Sequence, residues 1–259
     1  MKKTILLFYL LICSQAQAWT LEPNTARGFE SNEIDIYIAN TDCSGAGFST
    51  NQYESLIKSA VKRFWNNVPT SSLYLSVKGI RSDIDISGDT HSSALAKVPN
   101  NSILAGCNDS ATDFSSAGIL GSAVMNCSGD TCKAVLILNA HANSGLPSLS
   151  SGDQEAVIAH EIGHAFGLGH SEYKYNLMYY SISGKFQKWL GMDDIDGVSY
   201  LYPHESELDL LGLSAIGNCG SISLDGDQSN GGNKSLFSFL IGVLSVLLLS
   251  KTRNIKNLF

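Results

Sequence analysis

Eleven residues, HEIGHAFGLGH at 160–170, restrict what this chain can fold into more than any other stretch. They follow Ser151-Gly152-Asp153-Gln154, which reads as a helix-opening capping sequence, and then the apolar run Ala156 to Ala159, so a helix carries them. On that helix His160 and His164 are four residues apart and share one face, with their imidazoles close enough to hold one Zn²⁺. Glu161 stands beside them, placed to accept a proton from a water at the metal. Gly167 can take the left-handed conformation that ends a helix and turns the chain, so His170 returns as a third ligand. Three neutral imidazoles leave a fourth position open, the arrangement of a catalytic zinc site. With this chain's own His, Glu and Gly frequencies the full HExxHxxGxxH pattern arises by accident about once in 10⁵ chains, which sets aside incidental histidines on a buried helix.

The two ends differ from the body. Met1 to Ala18 has two lysines, an apolar run from Ile5 to Cys13 and then Ala16-Gln17-Ala18, the layout of an export signal, with Trp19 as the expected mature N-terminus. At the other end Gly231-Gly232 precedes an apolar stretch from Leu236 to Leu249 and the basic residues Lys251, Arg253 and Lys256. Fourteen helical residues make about 21 Å, so this segment crosses a hydrocarbon layer of about 30 Å only with help from its flanks, and it reads as a short C-terminal anchor with its basic end inside. The expected organisation is a signal peptide at 1–18, a folded domain at 19–205, a linker at 206–235 and a hydrophobic segment with a basic end at 236–259.

Between residues 19 and 233, 11 lysines and arginines stand against 24 acidic residues, a net of −13 where the whole chain carries −7. So acidic a body repels a phosphate backbone, and no basic stripe with interleaved aromatics relieves it, so no nucleic-acid partner is expected. Export favours disulfides. Cys127 and Cys132 bracket a turn-rich tetrapeptide suited to a small loop, Cys43 with Cys107 is the simplest second pair, and Cys219 is left odd. In the body, Ile34, Ile36 and Ile38 alternate as in a half-buried strand, and apolar positions from Tyr53 to Val68 recur three and four apart as on a helix that Pro69 ends. Leu73, Leu75 and Val77 alternate again, Ile84 with Ile86 suggests a further short strand, residues 87–117 read as loops, and 133–139 reads as a central strand. The fold class is α+β with a helical end.

HEIGHAFGLGHS followed by Asn176-Leu177-Met178-Tyr179 resembles the metzincin metalloproteases and, within them, the matrixins. Met178 lies eight residues after His170, the short matrixin spacing for the methionine turn beneath the metal, and Ser171 follows His170 as in matrixins. The segment from Asp193 to Tyr202 looks like the matrixin C-terminal helix, whose acidic start is tied back to the site. The helix at 51–68, the segment Gly118 to Val124 and the strand at 133–139 fall in the family's order, so the resemblance covers roughly residues 30–203. It implies a twisted mixed β-sheet with a long N-terminal helix, an active-site helix, a Met-turn and a C-terminal helix. It also implies one catalytic Zn²⁺ on His160, His164 and His170, Glu161 as general base, an extended peptide lying along an edge strand, and a monomer. The paired glycines, short apolar run and basic tail resemble bacterial sorting signals of the GlyGly-CTERM type, which implies a membrane or sorting-protease partner for the tail.

Three features depart from the family. About 15 residues separate Trp19 from the first strand and no cysteine-switch motif is present, so the latency device of animal matrixins is not expected. No structural zinc or calcium motif is recognisable, and His91 and His141 read as ordinary loop histidines. Tyr180 stands where a proline is expected; a tyrosine there resembles astacins and serralysins, where it reaches the metal or an oxyanion, the alternative being packing in the cleft wall. The reading is an exported zinc endopeptidase at the cell surface, in the periplasm or outside the cell. The rival is a surface-anchored adhesion or interaction module that holds the metal without turnover, and the intact Glu161 favours the enzyme.

Overall fold

The computed structural model of the chain describes residues 19–22, 27–109, 114, 116, 118–183 and 189–204. The segments expected as a signal peptide at 1–18, a linker at 206–235 and a hydrophobic segment at 236–259, with Cys219, lie outside the described residues. Within them the α+β expectation holds. A five-stranded sheet has the order β3-β2-β4-β6-β5, with β2 (Glu33–Ala39), β3 (Tyr74–Arg81), β4 (Ser102–Asn108) and β6 (Thr131–Asn139) parallel and β5 (Gly121–Ser128) antiparallel at one edge. A separate two-stranded ribbon pairs β1 (Trp19–Leu21) with β7 (Leu168–Ser171).

Parallel neighbours need crossovers, and helices supply them. α1 (Thr50–Ala60) joins β2 to β3, opened by a reciprocal capping box in which Ser49 and Gln52 exchange side-chain and backbone bonds. Its last turn widens into a π-helical stretch, Val61–Trp65, before the chain turns at Pro69. This places Trp65 so that its indole Nε1–H donates to the Ala159 carbonyl of α3 (Ser151–Ala165) at 2.9 Å. The same two helices are joined by Arg63, whose Nη1 lies 2.7 Å from the buried Glu155 carboxylate, and by a Ser59 hydroxyl bond to that carboxylate. α1 and α3 cover one face of the sheet, where Ile34, Ile36, Ile38, Ile103, Leu136 and Leu138 meet Tyr53, Ile57, Phe64 and Ile158.

The other face carries a smaller apolar cluster and two corrections to the sequence reading. Residues 87–117 are not all loop: they contain α2 (His91–Lys97), capped reciprocally by Thr90 and Ser93, and the wholly buried strand β4. Ile84 and Ile86 do not form a strand. They are irregular backbone that presses both side chains, with Ala94 and Val98, onto Leu104, Val135 and Ile137 of the sheet. The intervening carboxylates explain why the chain stays irregular: Asp83 is held by Arg81 at 2.6 Å and Asp85 accepts the Ser87 N–H at 2.8 Å, so both close local turns. β6 is buried on both faces, as its continuous apolar run requires.

Both expected bridges form, Cys43–Cys107 and Cys127–Cys132. They close loops of very different length, with sequence separations of 64 and 5. If loop closure dominates, replacing the first pair by alanines costs about 4 kcal/mol and replacing the second about 2 kcal/mol. Urea unfolding of the two paired variants checks the order, and a larger loss from the short loop contradicts it.

Candidate active site

α3 is buried almost all round, so it is fixed by packing rather than by propensity. Its N-cap is Ser150, one residue before the expected Ser151, with the hydroxyl accepting the Asp153 N–H and donating to its carboxylate at 2.7 Å. At the other end Gly167 has φ +119°, and a Cβ there would lie 2.6 Å from the Arg27 carbonyl oxygen. Only glycine makes this turn, which sends the chain into β7 and returns His170 to the two helical histidines.

The three imidazoles converge. Nε2 of His164 lies 3.1 Å from Nε2 of His160 and 3.2 Å from Nε2 of His170. On the far side of each helical imidazole, Nδ1 of His160 meets the Leu177 carbonyl at 2.8 Å and Nδ1 of His164 meets the Leu168 carbonyl at 2.7 Å. A carbonyl oxygen only accepts, so both protons reside on Nδ1 and both Nε2 atoms present lone pairs to one another. Two acceptors so close attract nothing except a cation between them. Tetrahedral donors at zinc–nitrogen distances of about 2.0–2.1 Å stand about 3.3 Å apart, close to the spacing found, so the residues fit the metal. Among the described residues no other set of three histidine, cysteine or acidic side chains converges in this way. His91 opens α2, and His141 sits in a turn where its Nδ1 accepts the Asn143 N–H, both apart from the triad.

Burial sets the protonation of the neighbours. Desolvation pushes Glu161 up to about 8, and Gly121 of β5 leaves the room it occupies, since a Cβ there would lie 2.9 Å from the Glu161 Cγ. His164 is pushed down to about 4 by burial and then by the nearby His170, against a smaller opposing effect of its bond to Leu168. It is therefore neutral at pH 7, as a ligand must be.

Met178 is buried beneath this helix. A side chain at Gly163 would collide with its sulfur, so the glycine inside HEIGH is what lets the thioether approach. The turn carrying it is tied to α4 (Met192–Leu201) through the buried Asp194, whose carboxylate accepts the N–H groups of Leu177 at 2.6 Å, Met178 at 2.9 Å and Gly191 at 2.7 Å. Asp194 thus holds the N–H of Leu177 while the carbonyl of Leu177 holds His160. A second link runs from Asp193, which accepts the Ser171 hydroxyl at 2.6 Å, with the Asn176 amide donating to the same hydroxyl oxygen at 2.7 Å. Tyr180 lies at the rim, 69% exposed, its ring tilted against that of Tyr179 at 4.4 Å and 6.5 Å from that of His170. A cavity of about 1140 Å³ opens above the triad, bounded by Gly121 to Ala123 of edge strand β5 on one side and by Tyr179 to Ser183 on the other. Thr20 and Glu22 also line it, two residues the motif gave no reason to single out.

The sequence model of the matrixin family matches residues 28–203, about two thirds of the chain and all of the site except Thr20 and Glu22. The chain belongs to the matrixin family. It is similar to the Metalloendoproteinase 2-MMP of Arabidopsis thaliana, 40% identical over 67 residues, or 26% of this chain and 18% of the relative. It is also similar to the Metalloendoproteinase 5-MMP of the same plant, 47% identical over 58 residues (22% of this chain, 16% of the relative), and to the Metalloendoproteinase 1 of Glycine max, 49% over 57 residues (22% and 19%). The matches span under a fifth of the length of these relatives.

The buried charges give the metal-free protein a distinctive pH dependence. Unfolded Glu161 ionises near 4.5 but the folded residue holds its proton up to about 8, so this group lowers stability as pH rises across that window. His164 does the reverse between about 4 and 6.5, where the unfolded chain binds the extra proton. The two effects offset each other below pH 6.5, and above it stability falls by up to about 1.4 kcal/mol per pH unit until about 8. Urea unfolding of the metal-stripped chain checks this, and Glu161→Gln should abolish the fall; an unchanged slope in that variant contradicts the assignment.

Proposed function

We propose that this matrixin is an exported zinc endopeptidase in which His160, His164 and His170 hold one Zn²⁺ and Glu161 is the general base. The observation that carries the reading is the facing pair of unprotonated Nε2 atoms with a buried carboxyl on the adjacent helical residue. When bound, zinc supplies a Lewis acid that acidifies water and polarises a peptide carbonyl. The ionised form of Glu161, favoured against its burial by a cation held on the imidazoles, takes the proton of the attacking water at its carboxylate and delivers it to the leaving amine, so no covalent acyl-enzyme is needed. The substrate is a protein or peptide lying extended and antiparallel along β5, whose outer edge faces the cavity, with one side chain entering the space beside Met178 and Tyr179. The hydroxyl of Tyr180, at the rim beside His170, stabilises the oxyanion or serves as a further ligand.

Export with a mature N-terminus at Trp19, a monomeric body, and a tail at 236–259 that acts as an anchor or sorting signal belong to the same proposal. The two disulfides support an oxidising compartment. The adhesion-module alternative keeps the metal and does without proton transfer, so a buried glutamate next to the first ligand has no purpose in it.

Glu161→Ala is expected to stay folded and zinc-loaded while losing peptidase activity by about 10²- to 10⁴-fold. Retention of more than about a tenth of wild-type activity on a peptide library would exclude Glu161 as the base. Tyr180→Phe should lower kcat by about 10²-fold with little change in zinc content if its hydroxyl meets the oxyanion. An unchanged kcat would leave Tyr180 as wall.

A further inference from the structure

The ribbon between β1 and β7 is short, lies outside the main sheet, carries the third imidazole, His170, and through the Leu168 carbonyl holds the second, His164. Trp19 pairs with Ser171 and Leu21 with Leu168, so β7 advances three residues while β1 advances two. The extra residue is a bulge at Gly169-His170, opposite Thr20. Bulges re-aim side chains, and here the irregular step turns His170 toward the helical pair. Two contacts clamp it: the Thr20 hydroxyl donates to the His170 carbonyl at 2.8 Å, and the Glu22 N–H donates to the Gly167 carbonyl at 2.9 Å. Gly169 makes the close approach feasible, since any Cβ there would collide with the Thr20 hydroxyl and lie 2.7 Å from the Leu21 carbonyl. β1 is itself anchored, with the Trp19 ring 5.0 Å from that of Tyr200, while Gly197 of α4 leaves room for the Leu168 side chain of β7. The Glu22 carboxylate lines the cavity and reaches 4.0 Å from Nδ1 of His164, the nitrogen whose proton is committed to Leu168.

We propose that Thr20 and Glu22 are positioning residues for the metal, Thr20 by fixing the backbone of the third ligand and Glu22 by placing negative charge behind the second. The proposal rests on the zinc reading of the triad and adds an N-terminal segment to it. Outer partners of metal-bound imidazoles set ring orientation and basicity, and losing one commonly weakens metal binding by about 10- to 100-fold. A segment serving only to brace the fold would alter melting temperature and leave the affinity of the folded protein alone.

The test is zinc titration of the metal-stripped full chain against a chromophoric chelator, with circular dichroism on the same samples. Thr20→Val, which keeps the shape but loses the hydroxyl, and Glu22→Gln, which keeps the shape but loses the charge, should each bind zinc about 10- to 100-fold more weakly, and Thr20→Ser should bind close to wild type. Wild-type affinity in folded Thr20→Val and Glu22→Gln overturns the proposal. Should Thr20→Val fail to fold, the isosteric Glu22→Gln decides the electrostatic half alone. A wild-type chain that binds no zinc overturns the reading of the triad itself, which separates that failure from failure of the ribbon's role.

Discussion

The site depends on one arrangement, two ring nitrogens 3.1 Å apart that can offer each other only lone pairs. It exists because the Leu177 and Leu168 carbonyls hold the opposite nitrogens in the protonated form. Each carbonyl is fixed in turn by an element distant in sequence. Leu177 lies in the turn whose N–H groups end on Asp194, and Leu168 opens the strand that follows the left-handed Gly167. The packing of α3 against α1 and the sheet fixes the helix that carries both rings. That is the physical content of the site: packing and outer hydrogen bonds orient both imidazoles so that their Nε2 atoms converge where a cation would sit.

The glycines of the motif show how closely backbone and chemistry are joined. Gly163 admits the Met178 sulfur under the helix, Gly167 turns the chain, Gly169 admits β1 against the third ligand, and Gly121 on the opposite wall leaves space for Glu161. None of them offers a side chain as ligand or base. Each removes a Cβ that would push a functional group out of position, so a pattern recorded as ligands and a base is in equal part a pattern of missing side chains.

Much of the site was legible in the sequence because its spacing is helical or family-typical. His160 and His164 follow from the period of one helix, and Met178 and the acidic start of α4 from their distance to His170. The β1 ribbon was not legible, because three residues are too few for any periodicity and its partner strand is half glycine and histidine. β4 escaped for another reason: SILAGCN is buried on both faces and mixes small and polar residues, so it neither alternates nor reads as a continuous apolar run. Ile84 and Ile86 misled in the opposite direction, since two apolar residues two apart also suit an irregular segment pressing both side chains onto a sheet. The short bridge was accessible from its turn-rich loop, and the long one as the simplest pairing of the cysteines that an export signal and that loop left over.

The central claim is that the converging imidazoles and the buried glutamate make a hydrolase and not merely a metal store. The most direct measurement is hydrolysis of an internally quenched peptide library by the purified chain, with zinc removed by a chelator and returned stoichiometrically. The account predicts internal peptide-bond cleavage that disappears on chelation and returns in full with one equivalent of zinc per chain. One tightly bound zinc with no cleavage of any peptide in the library would contradict it and leave a metal-holding module in its place.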